Sequence, residues 1–254
     1  MAIENFKPEV LEEALIQAYR EVSVADVITA RPTKVEGKLA RFNVLQAGAV
    51  KDYEGNVEVD EIQTVAIDLL YDKKKYFAVG VDDADACMLA GDVLLPMANQ
   101  LGHAIAKAVE AEVMAEAVKE GAVVAKTGDL YADIVDAGVK LDEANVPSER
   151  RYVIMRPADI ARLAKDARVM AHHGNPVLAN GIVEGMNVNG MQVIKSNACP
   201  EGKIIVLHAD AIAKGELLEK TEAIRSEHAF EDQIRGLCVF GVKAIRKEAI
   251  AVIE

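Results

Sequence analysis

Aromatic residues are scarce in this chain: six Tyr, five Phe and no Trp among 254 residues. The core must therefore be assembled from Val, Ile, Leu, Ala and Met. With 51% of residues hydrophobic there is enough of them to exclude a disordered chain. Cysteine is rarer still. Cys87, Cys199 and Cys238 are odd in number, far apart and without paired spacing, so neither a disulfide framework nor a zinc site is expected. They read as small buried hydrophobes. Positive charge is also in deficit, 29 Lys and Arg against 41 Asp and Glu, a net charge of −12. Tight nucleic-acid binding through the whole surface requires clustered cations and is excluded; enclosing nucleic acid without gripping it is not. No apolar run approaches the ~20 residues of a membrane span, so no membrane partner is expected. The opening stretch MAIENFKPEVLEEAL carries acids where a signal peptide needs a basic region, which points to a cytosol-like compartment. Internal repeats and low-complexity tracts are missing as well.

What is present is organised around one long stretch, Asp82 to Gly121. Val93, Met97, Leu101, Ile105, Ala108 and Val113 fall on one helical stripe. Asp92, Asn99, His103, Lys107, Glu110 and Glu116 fall on the other. Acids crowd its start and Gly121 stands at its end, as caps require. Pro96 predicts a kink or an early break. Even interrupted, a helix of this length spans roughly 50–60 Å, against a radius of gyration of about 18 Å for a compact globule of this size. We read it as the spine of a flat, extended molecule.

Before the spine, residues 3–21 predict a short helix with an acidic face of Glu9, Glu12 and Glu13, and Pro32 marks a boundary. Residues 39–47 and 57–71 read as paired strands around the turn chemistry of 51–56, and 73–83 as a strand leading into the spine. The hairpin is so poor in apolar positions that we expect a neighbouring chain to order it. After the spine come a helix over 130–147, a strand over 151–157 and a helix over 157–167 opened by a proline. The Gly-, Asn- and Pro-rich stretch 168–187 predicts a mobile loop. Strands follow over 191–197 and 203–213, then a helix or turn at 230–235 and two final strands.

Candidate chemistry is sparse. Adjacent His172 and His173 point to opposite faces of a strand, or need a third ligand in a loop, and no H-x-x-x-H spacing exists. Asp82, Asp83, Asp85 and Asp92 lack the order of a calcium loop. Phosphate-loop, dinucleotide and nucleophile-elbow patterns are missing. Cys199 could act as a nucleophile with His208 or His228, yet nothing local lowers its pKa. No catalytic, cofactor-binding or metal residue is assigned.

Four stretches in this order resemble the major capsid proteins of tailed double-stranded DNA bacteriophages, with the Hong Kong 97-type fold. They are KKKYFAVGVDDAD (73–85), ANVPSERRYVIMRPADIARL (144–163), IVEGMNVNGMQVIKSNACP (182–200) and FEDQIRGLCVFGVKAIRKEAIAVI (230–253). The resemblance implies an α+β fold: an N-terminal arm (1–31), an extended hairpin loop (32–66), a peripheral domain with the spine helix (67–125 and 222–254) and an axial domain (126–221). It implies a structural role with no catalysis and no cofactor. The chain would self-assemble as pentamers and hexamers of an icosahedral shell around double-stranded DNA, without binding it tightly. Scaffold, portal and decoration proteins are its implied partners, and the virion capsid its place, after assembly in the host bacterial cytoplasm. As contacts between subunits we expect Lys38, Arg41, Lys51, Tyr53 and Glu54 on the hairpin, and Arg150, Arg151 and Arg162 in the axial region. For the inner wall we expect Glu9, Glu12, Glu13, Glu110, Glu112 and Glu116. Two rivals stand beside this reading: an encapsulin-like shell that holds cargo protein, and a small cytosolic α/β enzyme using His208, His228 or Cys199.

Overall fold

A computed structural model describes residues 23–32, 35–36, 39–45, 64–82, 94–166, 177–179, 182–225 and 230–254, together with Leu15 and Gln17. The described elements begin with a short helix α1 (Ala25–Ile28) and strands β1 (Val35–Glu36), β2 (Leu39–Leu45), β3 (Thr64–Leu70) and β4 (Lys73–Asp82). The spine helix α2 (Leu94–Glu120) leads to β5 (Ala122–Val124), α3 (Leu130–Glu143), β6 (Arg151–Met155) and α4 (Pro157–Ala164). Then follow β7 (Val177–Ala179), β8 (Ile182–Val188), β9 (Met191–Lys195) and β10 (Ile204–His208). The chain ends with the long pair β11 (Ile212–Arg225) and β12 (Glu231–Ala244), and with β13 (Ile250–Ile253). Three sheets result: β1-β2-β3, β5-β13-β10-β6-β9-β8-β7 and β11-β12-β4.

Strands β6, β10 and β13 of the seven-stranded sheet are buried on both faces, which is why they read as unbroken apolar runs. Val153, Met155, Ile204, Val206, Ala251 and Ile253 face one side, against Leu130, Ile134, Ala137 and Leu141 of α3. Tyr152, Ile154, Ile205, Leu207, Ile250 and Val252 face the other, against Val113, Met114 and Ala117 of the spine. The local starts follow capping rules: Asp129 accepts from the Ala132 N–H at 3.3 Å, and α4 opens with Pro157 after an extended Arg156.

The spine is described over 27 residues, about 40 Å, and Asp82–Val93 contribute no described helix. The described helix runs through Pro96 without a break, and Pro96 stands in its first described turn. The buried stripe also differs from the one predicted. Ile105, Ala106 and Val109 pack with Leu15, Cys238 and Phe240, while Val113, Met114 and Ala117 pack on the seven-stranded sheet. Because two sheets flank the helix from different directions, its apolar arc shifts along its length. Glu110, expected in solvent, lies in the shift and is buried.

Further expectations are corrected by strand pairing. The stretch 168–187 holds two strands, β7 and β8, and β8 returns into β9 through the exposed pair Asn189-Gly190 with φ of 50° and 75°. That is the two-residue turn an Asn-Gly step favours, a signal outweighed in the sequence by its polar neighbours. Residues 230–235 are not helical but enter β12, which pairs with β4 from Glu231↔Asp82 to Phe240↔Lys73. Residues 203–213 are not one strand. The turn closed by Ala211 N–H to the His208 carbonyl at 2.9 Å sends β10 and β11 into different sheets. Strand β13 pairs with β10 and with β5, and its Ile250 and Val252 pack against the spine. The helical stretch expected over 3–21 lies outside the described residues except at Leu15 and Gln17, both helical.

Candidate subunit-contact surfaces

The hairpin β2-β3 stands on the face of the β11-β12-β4 sheet opposite the spine. Ala40, Leu69 and Tyr71 pack at its base on Ala213 and Val239. The approach requires glycine: a Cβ on Gly241 would lie 2.2 Å from the Leu70 carbonyl oxygen. The base is therefore anchored within its own subunit, and the part of the hairpin over 46–63, where order from a neighbour is expected, lies outside the described residues. Arg41 and Asp68 sit opposite each other across the two strands, Nε to Oδ1 2.9 Å. The Arg41 hydrogen bond holds the exposed Asp68 carboxyl below its usual range. Lys38, Lys51, Tyr53 and Glu54 lie outside the described residues.

In the stretch expected to be axial, Arg150 is exposed, has a φ of 56° and reaches Asp210 at 3.4 Å. Arg162 is exposed at the end of α4 and reaches Asp159 at 3.5 Å. Arg151 is placed otherwise. Its side chain is 4% exposed, with Nε donating to the Pro147 carbonyl at 2.8 Å and Nη1 2.7 Å from Asp142. A guanidinium carries five donors in a rigid fork, and here they tie the turn after α3 to β6 inside the subunit. It thus stands apart from the two surface arginines with which the sequence grouped it.

Sequence reasoning passed over the apolar exposure. Tyr76 and Phe230 are each 82% exposed, and Leu70 and Val123 are also open. Alternation along KKKYF carries the signal: Lys73 and Lys75 turn to the spine, where Glu112 lies at 2.5 Å and 3.6 Å, so Tyr76 must turn away. Around Tyr76 the sheet forms an open groove with Ala78, Glu222, Arg235 and Leu237. The N-terminal side is fastened by charge. Lys214, 1% exposed, bonds Asp26 of α1 and lies 3.1 Å from Glu216, and Asp26 also meets Arg31 at 2.7 Å.

The residues weighed for catalysis are placed as follows. Cys199 is buried, its Sγ 3.3 Å from the Lys203 carbonyl, and burial pushes its thiol up to about 12. His208 is buried, its Nδ1 accepts from the Asp210 N–H at 3.1 Å, and burial lowers its pKa. His172, His173 and His228 lie outside the described residues. Among the described residues no three His, Cys, Asp or Glu side chains form a group that could hold a metal. Of the acids expected on an inner wall, Glu110 is buried and Glu112 is paired with the sheet, while Glu116 stands beside Lys119 at 3.5 Å.

The order of a hairpin, a β-pair with its strand and spine, and a separate buried sheet is that of the Hong Kong 97-type capsid fold, in the α+β class. A protein of Mycobacterium phage Che8 superposes with a TM-score of 0.71 at 25% identity, over 86% of this chain and 85% of that one. The capsid of cyanophage P-SCSP1u gives 0.72 at 18% identity, over 91% and 87%. A virus-like particle from Pyrococcus furiosus gives 0.61 at 20% identity, over 99% and 100%. A search of curated proteins by sequence finds no match. Residues 46–253 match the family model described as phage capsid protein, and the chain belongs to that family. It is a structural protein of a homo-oligomeric capsid shell, with its place in the virion.

Proposed function

We propose that the chain self-assembles into the pentamers and hexamers of an icosahedral shell around a double-stranded DNA genome, in the cytoplasm of a bacterial host. The family match over 46–253 carries this reading. The net charge of −12 supports a container that holds DNA without gripping it, since each firm phosphate contact needs a cation. Scaffold, portal and decoration proteins are its proposed further partners. It catalyses nothing and uses no cofactor or metal. Subunits meet through the hairpin with Lys38, Arg41, Lys51, Tyr53 and Glu54, and through Arg150 and Arg162. Electron microscopy of the protein expressed alone tests the reading. Closed shells, or capsomer-sized rings that close once scaffold is added, are expected; a monodisperse monomer or dimer with both present sinks it.

A second reading is a shell filled with cargo protein in place of a genome. The end-to-end likeness to the Pyrococcus furiosus particle favours it. Purified particles decide, by a nucleic-acid absorbance signature or by protein in the lumen.

A further inference from the structure

The spine changes partners along its length. Up to Val109 it packs with Cys238 and Phe240 of the three-stranded sheet, and from Val113 onward with Ile154, Ile205 and Val252 of the seven-stranded one. Glu110 stands between the two clusters and is 7% exposed. Its Oε1 accepts from Ser196 Oγ, and that Oγ accepts from the Ala198 N–H at 3.0 Å. The carboxyl therefore reaches across to the loop after β9 and holds its fold. Two residues further, Glu112 is held by Lys73 and Lys75 of β4. One helical turn thus joins the spine to one sheet by an ion pair and to the other by a buried carboxyl. The groups facing Glu110 are the exposed Lys107 one turn earlier and, on the loop, Ser196 and the Cys199 thiol, itself faced by Arg156 and Asp159.

We propose that Glu110 and Ser196 form a proton-controlled latch between the spine and the seven-stranded sheet, closed when the carboxyl is protonated and loosened when it ionises. Burial raises the Glu110 pKa above the ordinary 4.5, with Ser196 and Lys107 opposing. A carboxyl that binds its proton more tightly docked than undocked favours the docked state fully below its ordinary pKa. It loses that preference as pH rises through the raised value. Glu112 has the opposite sign, because its hydrogen bond from Lys73 lowers the pKa and its grip fails as pH falls. Falling pH therefore first tightens the spine on the seven-stranded sheet while the Glu112 ion pair holds, and loosens that pair only below the ordinary 4.5. Such a joint lets the two sheets change their mutual orientation without unfolding either.

Hydrogen exchange of the full chain as free subunits, at about pH 5 and pH 8 and corrected for intrinsic rates, tests the latch. Segments 106–114 and 196–203 are expected to exchange faster at the higher pH, while the core of β10 stays unchanged. Glu110→Gln, uncharged at both, should keep the acid level of protection throughout. Equal wild-type protection at the two pH values, or a pH dependence that survives in Glu110→Gln, overturns the proposal. Should the variant fail to fold, carbon NMR of the wild-type carboxyl decides directly. Titration of Glu110 at or below the ordinary glutamate value overturns the latch.

Discussion

Two buried side chains show how one atom's surroundings set its behaviour. Cys199 shares its neighbourhood with Ile154 and donates to backbone carbonyls, so its thiolate finds no solvation. With the thiol near 12, roughly one molecule in ten thousand is ionised at pH 8, and only the thiolate attacks an alkylating agent. Alkylation of Cys199 should therefore require unfolding; rapid labelling of the native chain at pH 8 would contradict its burial. Lys214 is the converse case, a buried side chain whose ammonium lies against Asp26 and Glu216. Removing one member of such a pair costs up to about 3–5 kcal/mol because a charge is left behind. Removing both carboxylates, Asp26→Ala with Glu216→Ala, should lower the urea midpoint of free subunits far more than Lys214→Met, which leaves Asp26 bonded to Arg31. Equal losses would mean that the pair is not desolvated as its burial indicates.

At the scale of elements, the hairpin is the informative case. Its length of polar strand cannot bury enough to hold itself, yet Ala40, Leu69 and Tyr71 give it a foot on the sheet beneath. The foot depends on Gly241, where the hairpin's backbone crosses directly above the strand. Gly241→Ala should raise hydrogen exchange in Leu39–Leu45 and Thr64–Leu70 while leaving β10 and β13 protected. Loss of protection in both sheets together would show that the hairpin base and the central sheet unfold as one unit. The spine is the second informative element, since it packs on each sheet through a separate apolar cluster and meets each with a different carboxyl group.

For the molecule as a whole, charge and symmetry act together. The ion pairs Arg41–Asp68 and Arg150–Asp210 lie open to solvent within one subunit, and in the proposed shell any contact these residues make to a neighbour recurs at every symmetric copy. Raising ionic strength from about 0.05 to 0.5 M, where the screening length falls well below 10 Å, should shift the assembly threshold measured by light scattering. An unchanged threshold would remove the arginines from the contact. Free subunits should show no sequence-independent DNA binding in a gel-shift titration at physiological salt, because net charge of −12 repels phosphate. Sub-micromolar binding would contradict a passive container.

Residues alone determined the elements whose pattern is local. The spine, α3, the proline-opened α4 and the continuous apolar strands β6, β9, β10 and β13 were legible because periodicity, caps and runs of Val and Ile are written in neighbouring positions. The order of these pieces also carried the family. Only the tertiary structure decided what depends on distant partners. Glu110 reads as a solvent-facing acid until a second sheet brings Ser196 over it. Arg151 reads as a surface cation until the turn at Asp142–Pro147 closes on it. Residues 230–235 carry enough charge to read as a turn, and become a strand because β4 and β11 offer bonds on both sides. Burial and pairing come from contacts far apart in the chain, and no window of sequence contains them.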